Sequence, residues 1–286
     1  MAAEGAYLVV GSDGLIGAAL RRKLLAEGRA VLGTIRQPES AREDVLQLDL
    51  AGDMDGWEVP AGINSAFLCA GITTLKQCET DPAASYLVNV RNLARLAEKL
   101  ATSGVFVVFL STSAVFDGSM AFAACDATFC PTTEYGKQKA DAERLLLAMG
   151  ENLAIVRLTK VVSPSMPLLV LWREALERGE SIQPFNDLLM SPIPLNFAVE
   201  ALIRIADSRR GGIYPLSGAA DVSYAEFAAT WMTRLGFPAH LLQGCSAGEG
   251  ICKPRFTTLD MSAMVQQFGL KPPTLEQTID SLYGQP

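Results

Sequence analysis

Short apolar runs without polar interruptions alternate with longer amphipathic stretches throughout the first half of the chain. Continuous apolar runs are typical of strands buried on both faces, and amphipathic stretches are typical of the helices that cover them. The predicted strands are 7–10, 30–34, 45–48, 66–70, 105–110 and 154–158, and the predicted helices are 15–27, 82–102 and 133–149. This alternation predicts an α/β fold built on a doubly wound parallel sheet.

The rhythm changes after residue 160, where frequent prolines break the chain into short pieces. Two later stretches, 193–207 and 212–216, still have the pattern of the first half. We therefore predict a nucleotide-binding domain over residues 1–160, rejoined by about 193–216. The rest of 161–286 is predicted to form a smaller C-terminal substrate-binding lobe.

Composition narrows the classes of function. Apolar residues make up 49% of the chain and charged residues 19%, which is typical of a folded domain. A net charge of −7 argues against a nucleic-acid partner. No apolar run approaches membrane-spanning length, so we expect a cytoplasmic protein with no membrane partner. A single histidine, His240, and six cysteines without C-x-x-C spacing predict free thiols and no metal site.

A glycine-rich turn lies between the first predicted strand and the first predicted helix. Its spacing is G-x-x-G-x-x-G, a variant of the dinucleotide fingerprint G-x-G-x-x-G. Glycine permits a tight turn and close approach of the backbone to a pyrophosphate, and the helix N-terminus presents free N–H groups to it. The predicted phosphate-binding segment is Gly11, Ser12, Asp13, Gly14, Leu15, Ile16 and Gly17.

The ends of the next three strands predict which dinucleotide binds. An acid that would bind the ribose 2′-OH of NAD is missing after the second strand, and Arg36 stands there instead. A guanidinium suits a 2′-phosphate, which favours NADP (NADPH) over NAD. Asp49, followed by Leu50, is a candidate for the adenine amino group. Ala70 and Gly71 leave room for the cofactor to cross the sheet.

Three further residues predict the chemistry. Tyr135 and Lys139 lie four residues apart and therefore share one helix face. A nearby ammonium and the positive nicotinamide both favour the phenolate, so we expect Lys139 and the cofactor together to lower the pKa of Tyr135. Lys139 is also predicted to hold the nicotinamide ribose. Thr112, at the end of the fifth strand, is predicted to orient the substrate oxygen, with Ser113 as the alternative.

At these motifs the chain resembles the extended short-chain dehydrogenase/reductases. Within them it is most similar to the dTDP-4-dehydrorhamnose reductase family and its sugar-nucleotide relatives. The resemblance runs nearly end to end, on the strings GSDGLIG, STSAVFDG, YGKQKADAE, VRLTKVV, MSPIPLNFAVEAL, GGIYPLSG and FTTLDMSAMVQQFGL. It implies an NADPH-dependent oxidoreductase that reduces a keto-sugar nucleotide or a related carbonyl, with Tyr135 as proton donor.

Departures from the family pattern leave alternatives open. The reductases usually carry Asp-Tyr after the catalytic threonine, whereas Ser113 and Ala114 stand here. This pair is similar to that of C4 epimerases, so a sugar-nucleotide epimerase with tightly held NAD(P) remains an alternative. A non-catalytic regulatory subunit on the same fold is another, because the chain also resembles the methionine adenosyltransferase β subunit.

Substrate contacts and oligomeric state are predicted less directly. Lys253 and Arg255 are candidates to meet the diphosphate of a nucleotide sugar, and the loop 119–130 is expected to border the substrate. The resemblance implies a homodimer in which two helices pair across a two-fold axis. The residues predicted at this interface are Leu87, Val90, Ala94, Ala97, Ala140, Leu147 and Ala148.

Overall fold

The apolar runs of the sequence form one large parallel sheet in the computed structural model, which describes residues 5–37, 43–150, 152–249 and 253–283. Over these residues its strands are β1 Ala6–Val10, β2 Val31–Ile35, β3 Val45–Gln47, β4 Ile63–Leu68, β5 Phe106–Thr112, β6 Leu153–Leu158 and β10 Gly212–Leu216. Their order is β10-β6-β5-β4-β1-β2-β3. From β1 the strand order runs outward to one edge through β2 and β3, and to the other edge through β4, β5, β6 and β10. The order therefore reverses between β1 and β4, and ligands of such sheets bind at the carboxyl ends of the strands beside this point.

Helices connect the strands and continue into the second half of the chain. Over the described residues they are α1 Leu15–Ala26, α2 Leu75–Thr80, α3 Pro82–Tyr86, α4 Leu93–Thr102, α5 Glu134–Leu147, α6 Pro167–Glu177, α7 Leu195–Ser208, α8 Tyr224–Leu235, α9 Ser262–Phe268 and α10 Leu275–Tyr283. Short strands are β7 Lys160–Val162, β8 Leu189–Met190, β9 Pro192–Pro194 and β11 Val222–Ser223. The predicted α/β fold with a doubly wound sheet is confirmed.

The helix predicted over 82–102 is not uniform. Between α3 and α4 the chain widens into a π-helical stretch, Leu87–Asn92. Two buried asparagines of this stretch bond to neighbouring loops: Asn89 donates to the Ile72 carbonyl at 2.9 Å, and Asn92 donates to the Leu50 carbonyl at 2.8 Å. The spacing of apolar residues does not predict this π-helical stretch, because its asparagines bond to backbone that is distant in sequence.

The core of the large sheet explains why its strands are continuously apolar. Leu8, Val10, Leu68 and Phe109 are essentially inaccessible to solvent and pack with buried residues of α4 and α5. In β1 all five side chains are buried, and in β6 all six. Helices on both faces of the sheet therefore remove both sets of strand side chains from water, as the sequence pattern predicts.

The described residues divide into two compact units. The first holds the chain up to Val115 together with Phe129–Arg157 and Val199–Tyr214. The second holds Phe116–Thr128, Leu158–Ala198 and the described chain from Pro215 onward. The grouping of Phe116–Thr128 with the second unit differs from the predicted division at residue 160.

The second unit has its own hydrophobic core. Trp231 and Phe227 of α8 are buried against Trp172 of α6 and Ile279 of α10. Its strands form two small pairs, with β8 antiparallel to β11 and β7 parallel to β9. Within the described part of the chain, no helix has both the length and the apolar character needed to cross a membrane.

Most of the residues predicted at a dimer interface face the interior. Val90, Ala94, Ala97 and Ala140 are at most 8% exposed, because other residues of the chain cover them. That part of the interface prediction is wrong. Leu147, which is 43% exposed, still lies on the surface of α5.

The thiols are free where the structure describes them. The described cysteines are Cys69, Cys78, Cys125, Cys130 and Cys245, and none forms a disulfide. The sixth cysteine, Cys252, lies outside the described residues.

Candidate active site

The glycine turn leaves no space for side chains at two of its three glycines. A Cβ at Gly17 would lie 2.1 Å from the Gly11 carbonyl oxygen. A Cβ at Gly11, where φ is +79°, would lie 2.9 Å from the Ala70 backbone. A Cβ at Gly14 would meet its nearest neighbour only at 3.5 Å. Gly14 also caps α1 without a side-chain oxygen, so no side chain at this position caps the first-turn N–H groups.

Ser12 fixes the turn rather than lining a cavity. Its backbone N–H and its hydroxyl both donate to the Thr34 carbonyl oxygen, at 2.8 and 3.1 Å. The Thr34 hydroxyl accepts from the Gly11 N–H at 3.2 Å. A side chain at Gly33 would collide with Ser12 Oγ at 2.4 Å. Ser12, predicted to contact the cofactor, is thus bonded to β2 instead. Thr34, which we did not predict to be part of the turn, holds it in place.

A cavity of about 260 Å³ opens at the carboxyl ends of β1, β2, β3 and β4. Eight predicted cofactor residues line it: Gly11, Asp13, Gly14, Arg36, Asp49, Leu50, Ala70 and Gly71. The predicted cofactor residues Ser12, Leu15, Ile16, Gly17 and Lys139 do not line it. The lining residues that sequence reasoning missed are Thr34, Ile35, Leu48, Ala51, Cys69, Ile72 and Val88. Thr34 and Ile35 end β2, and Leu48 and Cys69 directly follow β3 and β4, so strand position was the signal that could have identified these four.

Charged groups of both signs line this cavity. Arg36 lies one residue beyond β2 and is exposed. Asp49 accepts a hydrogen bond from the Ala51 N–H at 2.9 Å, which fixes its carboxylate at the end of β3. Asp13 lies in the glycine turn itself. The cavity thus combines a backbone cradle with a guanidinium and two carboxylates, a set of groups that suits a dinucleotide with phosphates and an adenine amino group.

The predicted tyrosine, lysine and threonine lie on α5 and at the end of β5. α5 begins where the Thr133 hydroxyl accepts from the Gly136 N–H at 3.1 Å. A Cβ at Gly136 would lie 2.2 Å from the Ala114 carbonyl oxygen, so glycine lets the start of α5 contact the chain after β5. Thr112 is half-buried, and its oxygen accepts from the Ala114 N–H at 3.2 Å, which leaves its hydroxyl proton available.

Lys139 is buried and points toward β5. Its Nζ donates to the Leu110 carbonyl at 2.8 Å and lies 4.5 Å from the centre of the Phe109 ring. Burial lowers the pKa of Lys139 to about 8, although the Glu143 carboxylate opposes this shift. The Lys139 ammonium in turn opposes the rise that burial causes in the pKa of Cys69, which reaches about 12. Because Cys69 lines the cavity, Lys139 lies within electrostatic reach of it.

Burial of Tyr135 opposes the lowered pKa that the sequence predicts for its phenol. Burial raises the pKa of its phenol well above the ordinary value, and the neighbouring Cys78 adds to the rise. The Lys139 ammonium does not offset this, because Nζ lies 6.0 Å from the Tyr135 ring centre and is bonded to the Leu110 carbonyl. The phenol therefore carries its proton at neutral pH, the form that a proton donor requires.

A buried amide network connects the cavity to α5. Asn89 accepts from the Ile72 N–H at 2.8 Å and donates to Gln138 Oε1 at 2.9 Å. Gln138 in turn donates to Ser85 Oγ at 2.8 Å. Since Ile72 lines the cavity and Gln138 lies between Tyr135 and Lys139 in sequence, the network ties the two parts of the site together.

The predicted substrate contacts in the second unit differ in their availability. Lys253 forms an ion pair with Asp187 at 2.6 Å and also donates to the Ala247 carbonyl. Hydrogen bonds from Lys253 and Ser246 hold the pKa of Asp187 well below its usual range. Arg255 is exposed, and its guanidinium lies 5.2 Å from the centre of the Phe256 ring.

The first half of the loop 119–130 is bonded to the extended segment at Thr258 and Leu259 in the second unit. The Phe122 N–H donates to Thr258 Oγ1 at 3.1 Å, and Ala123 pairs with Leu259. Asp221 accepts hydrogen bonds from both the N–H and the hydroxyl of Thr258. Held in this way, Phe122 adopts a left-handed backbone with φ +53° and leaves its ring 55% exposed.

Comparison with known proteins gives a consistent family. The family model for the RmlD substrate binding domain matches residues 6–285. The probable low-salt glycan biosynthesis reductase Agl14 of Haloferax volcanii is 25% identical, over 96% of this chain and 96% of the relative. MoeE5, solved in complex with UDP-glucose and NAD, is 26% identical with a TM-score of 0.80, covering 97% of this chain and 98% of that one.

A further solved structure supports the fold alone. The dTDP-4-dehydrorhamnose reductase from Bacillus anthracis, solved in complex with NADP, is 17% identical. It superimposes with a TM-score of 0.83, covering 98% of this chain and 99% of that one. The likeness therefore extends over both compact units of the chain.

Proposed function

This chain belongs to the RmlD substrate-binding-domain family, and from that premise we propose that it is an NADPH-dependent reductase of a keto-sugar nucleotide or a related carbonyl compound. The observation that carries the proposal is the electrostatic link between Lys139 and Cys69. Cys69 lines the cavity at the strand ends, and Lys139 shares a helix face with Tyr135. Nucleotide cavity and proton donor thus belong to one site.

The residues of the cavity fit a dinucleotide. A side chain at Gly11 or Gly17 would collide with nearby backbone, so the turn is free of side chains at both positions. Such a turn suits a pyrophosphate at the N-terminus of α1. Asp49 is the candidate for the adenine amino group, and Lys139 for the nicotinamide ribose. When bound, the cofactor supplies the hydride for the carbonyl carbon. Relatives solved with NAD and with NADP support a nicotinamide cofactor.

The protein's own part in the chemistry is to orient the carbonyl and protonate its oxygen. Tyr135 holds a proton at neutral pH and donates it to the developing alkoxide. The Thr112 hydroxyl donates a second hydrogen bond to the same oxygen and fixes its direction. The Lys139 ammonium supplies positive charge beside the phenol as the proton leaves.

The preference for NADPH rests on Arg36. Its guanidinium lines the cavity directly after β2, where it can contact a 2′-phosphate. Asp13 and Asp49 also line the cavity, but they follow β1 and β3 rather than β2. No residue of β2 carries a carboxylate that would select the free ribose hydroxyl.

The substrate is proposed to be a nucleotide sugar, since MoeE5 has been solved with UDP-glucose and also with UDP-glucuronic acid. Of the two predicted diphosphate contacts, Arg255 is the stronger candidate. Its guanidinium is exposed, whereas Asp187 already compensates the charge of Lys253. The pairing predicts that Arg255→Ala raises KM for nucleotide sugars more than Lys253→Ala does.

Epimerisation is the second candidate, favoured by Ser113 and Ala114 in place of Asp-Tyr after Thr112. An epimerase restores its cofactor in each cycle, whereas a reductase consumes it. The test is to incubate the protein with a panel of keto-sugar nucleotides, simple ketones and UDP-sugars, and to follow NADPH absorbance and products together. Loss of one NADPH per product supports the reductase, and epimerised product with constant NADPH contradicts it.

A further inference from the structure

A buried ion pair lies behind Lys139. Glu143 of α5 and Arg157 of β6 have side chains that are 0% and 2% exposed. The Arg157 Nε donates to both carboxylate oxygens of Glu143, at 3.2 and 3.1 Å, and an Nη donates to Oε2 at 2.8 Å. The Ser111 hydroxyl donates a short hydrogen bond to the same carboxylate. The Phe129 ring covers the guanidinium at 5.2 Å.

This cluster connects the two elements that carry the proposed chemistry. Leu110, Ser111 and Thr112 are consecutive at the end of β5. The Leu110 carbonyl accepts from Lys139, and the Ser111 hydroxyl donates to Glu143. The two residues of β5 that directly precede Thr112 are thus hydrogen-bonded to two side chains that lie one turn apart on α5.

The same face of α5 carries all three polar groups. Tyr135, Lys139 and Glu143 are spaced four residues apart, so they follow one another along the helix. Burying an ion pair costs desolvation of both charges, and apolar residues often stabilise a core equally well. Stability alone therefore does not account for a buried Glu143–Arg157 pair at this place.

We propose that Ser111, Glu143 and Arg157 form a positioning network that holds the end of β5 in register with α5, so that Thr112 and Tyr135 meet the same substrate oxygen, and that places a negative charge behind the Lys139 ammonium. The inference rests on the proposed reductase function for its kinetic readout. None of the three network residues contacts the reacting atoms; each acts through Lys139, Thr112 or Tyr135.

The charge on Lys139 gives a readout that does not need turnover. The groups acting on its ammonium are Glu143 on the same helix, Cys69 after β4 and Cys78 on α2, with Arg157 beyond Glu143. Glu143 is the largest of the contributions that raise the pKa of Lys139 against burial. Without the carboxylate, the ammonium loses its proton at a lower pH.

Three variants separate geometry from charge. Ser111→Ala removes the hydrogen bond and keeps the ion pair. Glu143→Gln keeps an oxygen for Ser111 but removes the negative charge opposite Arg157. Glu143→Gln with Arg157→Met removes both buried charges. Asp141→Asn is the matched control, because Asp141 pairs with Arg144 on the exposed side of the same helix.

The titration of Lys139 is measured by NMR on protein labelled at the lysine ε-carbon, with Lys139→Met identifying the signal. We expect the pKa of Lys139 to fall in Glu143→Gln. It should fall less in the double variant, where the repelling guanidinium of Arg157 is also removed. Asp141→Asn should leave it in place. A midpoint that is unchanged in both folded Glu143 variants overturns the electrostatic part of the proposal, whether or not a substrate has been found.

The geometric part is measured with a substrate that the wild-type protein reduces. Small displacements of reacting groups can cost about a hundredfold in rate, so we expect Ser111→Ala to lower kcat by roughly ten- to a hundredfold with little change in NADPH affinity. Ser111→Thr, which keeps the hydroxyl, should recover part of the rate. Wild-type kcat in Ser111→Ala overturns the positioning role, whereas a wild-type protein that reduces nothing counts against the reductase function instead.

Discussion

The Lys139 ammonium donates a hydrogen bond of 2.8 Å to the Leu110 carbonyl, two residues before Thr112. The same Nζ lies 6.0 Å from the centre of the Tyr135 ring. The lysine is therefore a bridge between helix and strand. Burial of the lysine lowers its pKa, and burial of the tyrosine raises the pKa of the phenol.

The lowered pKa of Lys139 predicts how activity depends on pH. If the ammonium is the active form, kcat/KM should fall as pH rises through about 8, where Lys139 loses its proton. Lys139→Met should remove this alkaline limb together with most of the activity. Lys137→Met changes an exposed lysine of the same helix and should preserve the fall in kcat/KM at alkaline pH. If Lys139→Met still shows that fall, Lys139 is not the group that titrates.

Removing the proton donor should stop turnover without weakening cofactor binding. General acid catalysis contributes about 10²–10⁴-fold, so Tyr135→Phe should lower kcat by that factor while the NADPH dissociation constant changes little. Tyr86→Phe is the control, since Tyr86 is a surface tyrosine of the same unit. Rates near wild type in Tyr135→Phe, with the true substrate, would show that another group donates the proton.

Two glycines of the turn, Gly14 and Gly17, should respond differently to alanine. At Gly17 the new methyl group would lie 2.1 Å from the Gly11 carbonyl oxygen, and at Gly14 it would have 3.5 Å. Overpacking of this kind costs about 1–3 kcal/mol, so Gly17→Ala should lower the free energy of unfolding and weaken NADPH binding. Gly14→Ala should change both much less. Denaturant unfolding and fluorescence titration measure the two effects, and equal behaviour of the variants would count against this turn geometry.

Arg36 should decide between the two nicotinamide cofactors. A charge-assisted hydrogen bond contributes about 1.5–3 kcal/mol, so Arg36→Ala should weaken NADPH binding roughly tenfold or more and leave NADH binding nearly unchanged. Arg22→Ala makes the same change of charge on α1, away from the cavity lining, and should alter neither affinity. Equal affinity of the wild-type protein for NADPH and NADH would contradict the proposal.

The proposed homodimer now rests on the exposed side of α5. Because Ala94 is 8% exposed, a charge there would disrupt the core and report nothing about association. Leu147→Glu places the charge on a side chain that is 43% exposed, and it should convert a dimer to a monomer in light scattering. Leu25→Glu, on the surface of α1, should not. A wild-type monomer, or a dimer that tolerates Leu147→Glu, excludes this interface.

The sequence predicted the sheet because its signals are local. Apolar runs such as Leu153–Leu158 are buried on both faces, and the close approach of Gly17 to the Gly11 carbonyl is a contact within a few residues. The lining of the cavity by Arg36 and Asp49 likewise follows from their positions at strand ends. Each of these features is determined by a short segment and the strand that precedes it.

Features that depend on distant partners could not be predicted in the same way. The π-helical stretch follows the side-chain bonds of Asn89 to Ile72 and of Asn92 to Leu50. The raised pKa of Tyr135 follows from burial, which a spacing of four residues does not reveal. The pairing of Lys253 with Asp187 joins residues 66 positions apart.

The central claim is that this protein moves a hydride to a keto-sugar nucleotide and consumes its cofactor. The most direct measurement is a reaction with NADPH deuterated at the transferable position of C4, using the keto-sugar nucleotide that turns over fastest in the panel. We expect one deuterium on the new carbinol carbon and one NADP⁺ for each product molecule, and almost no product from Tyr135→Phe within the same time. Product without deuterium, or product formed without net NADP⁺, would contradict it.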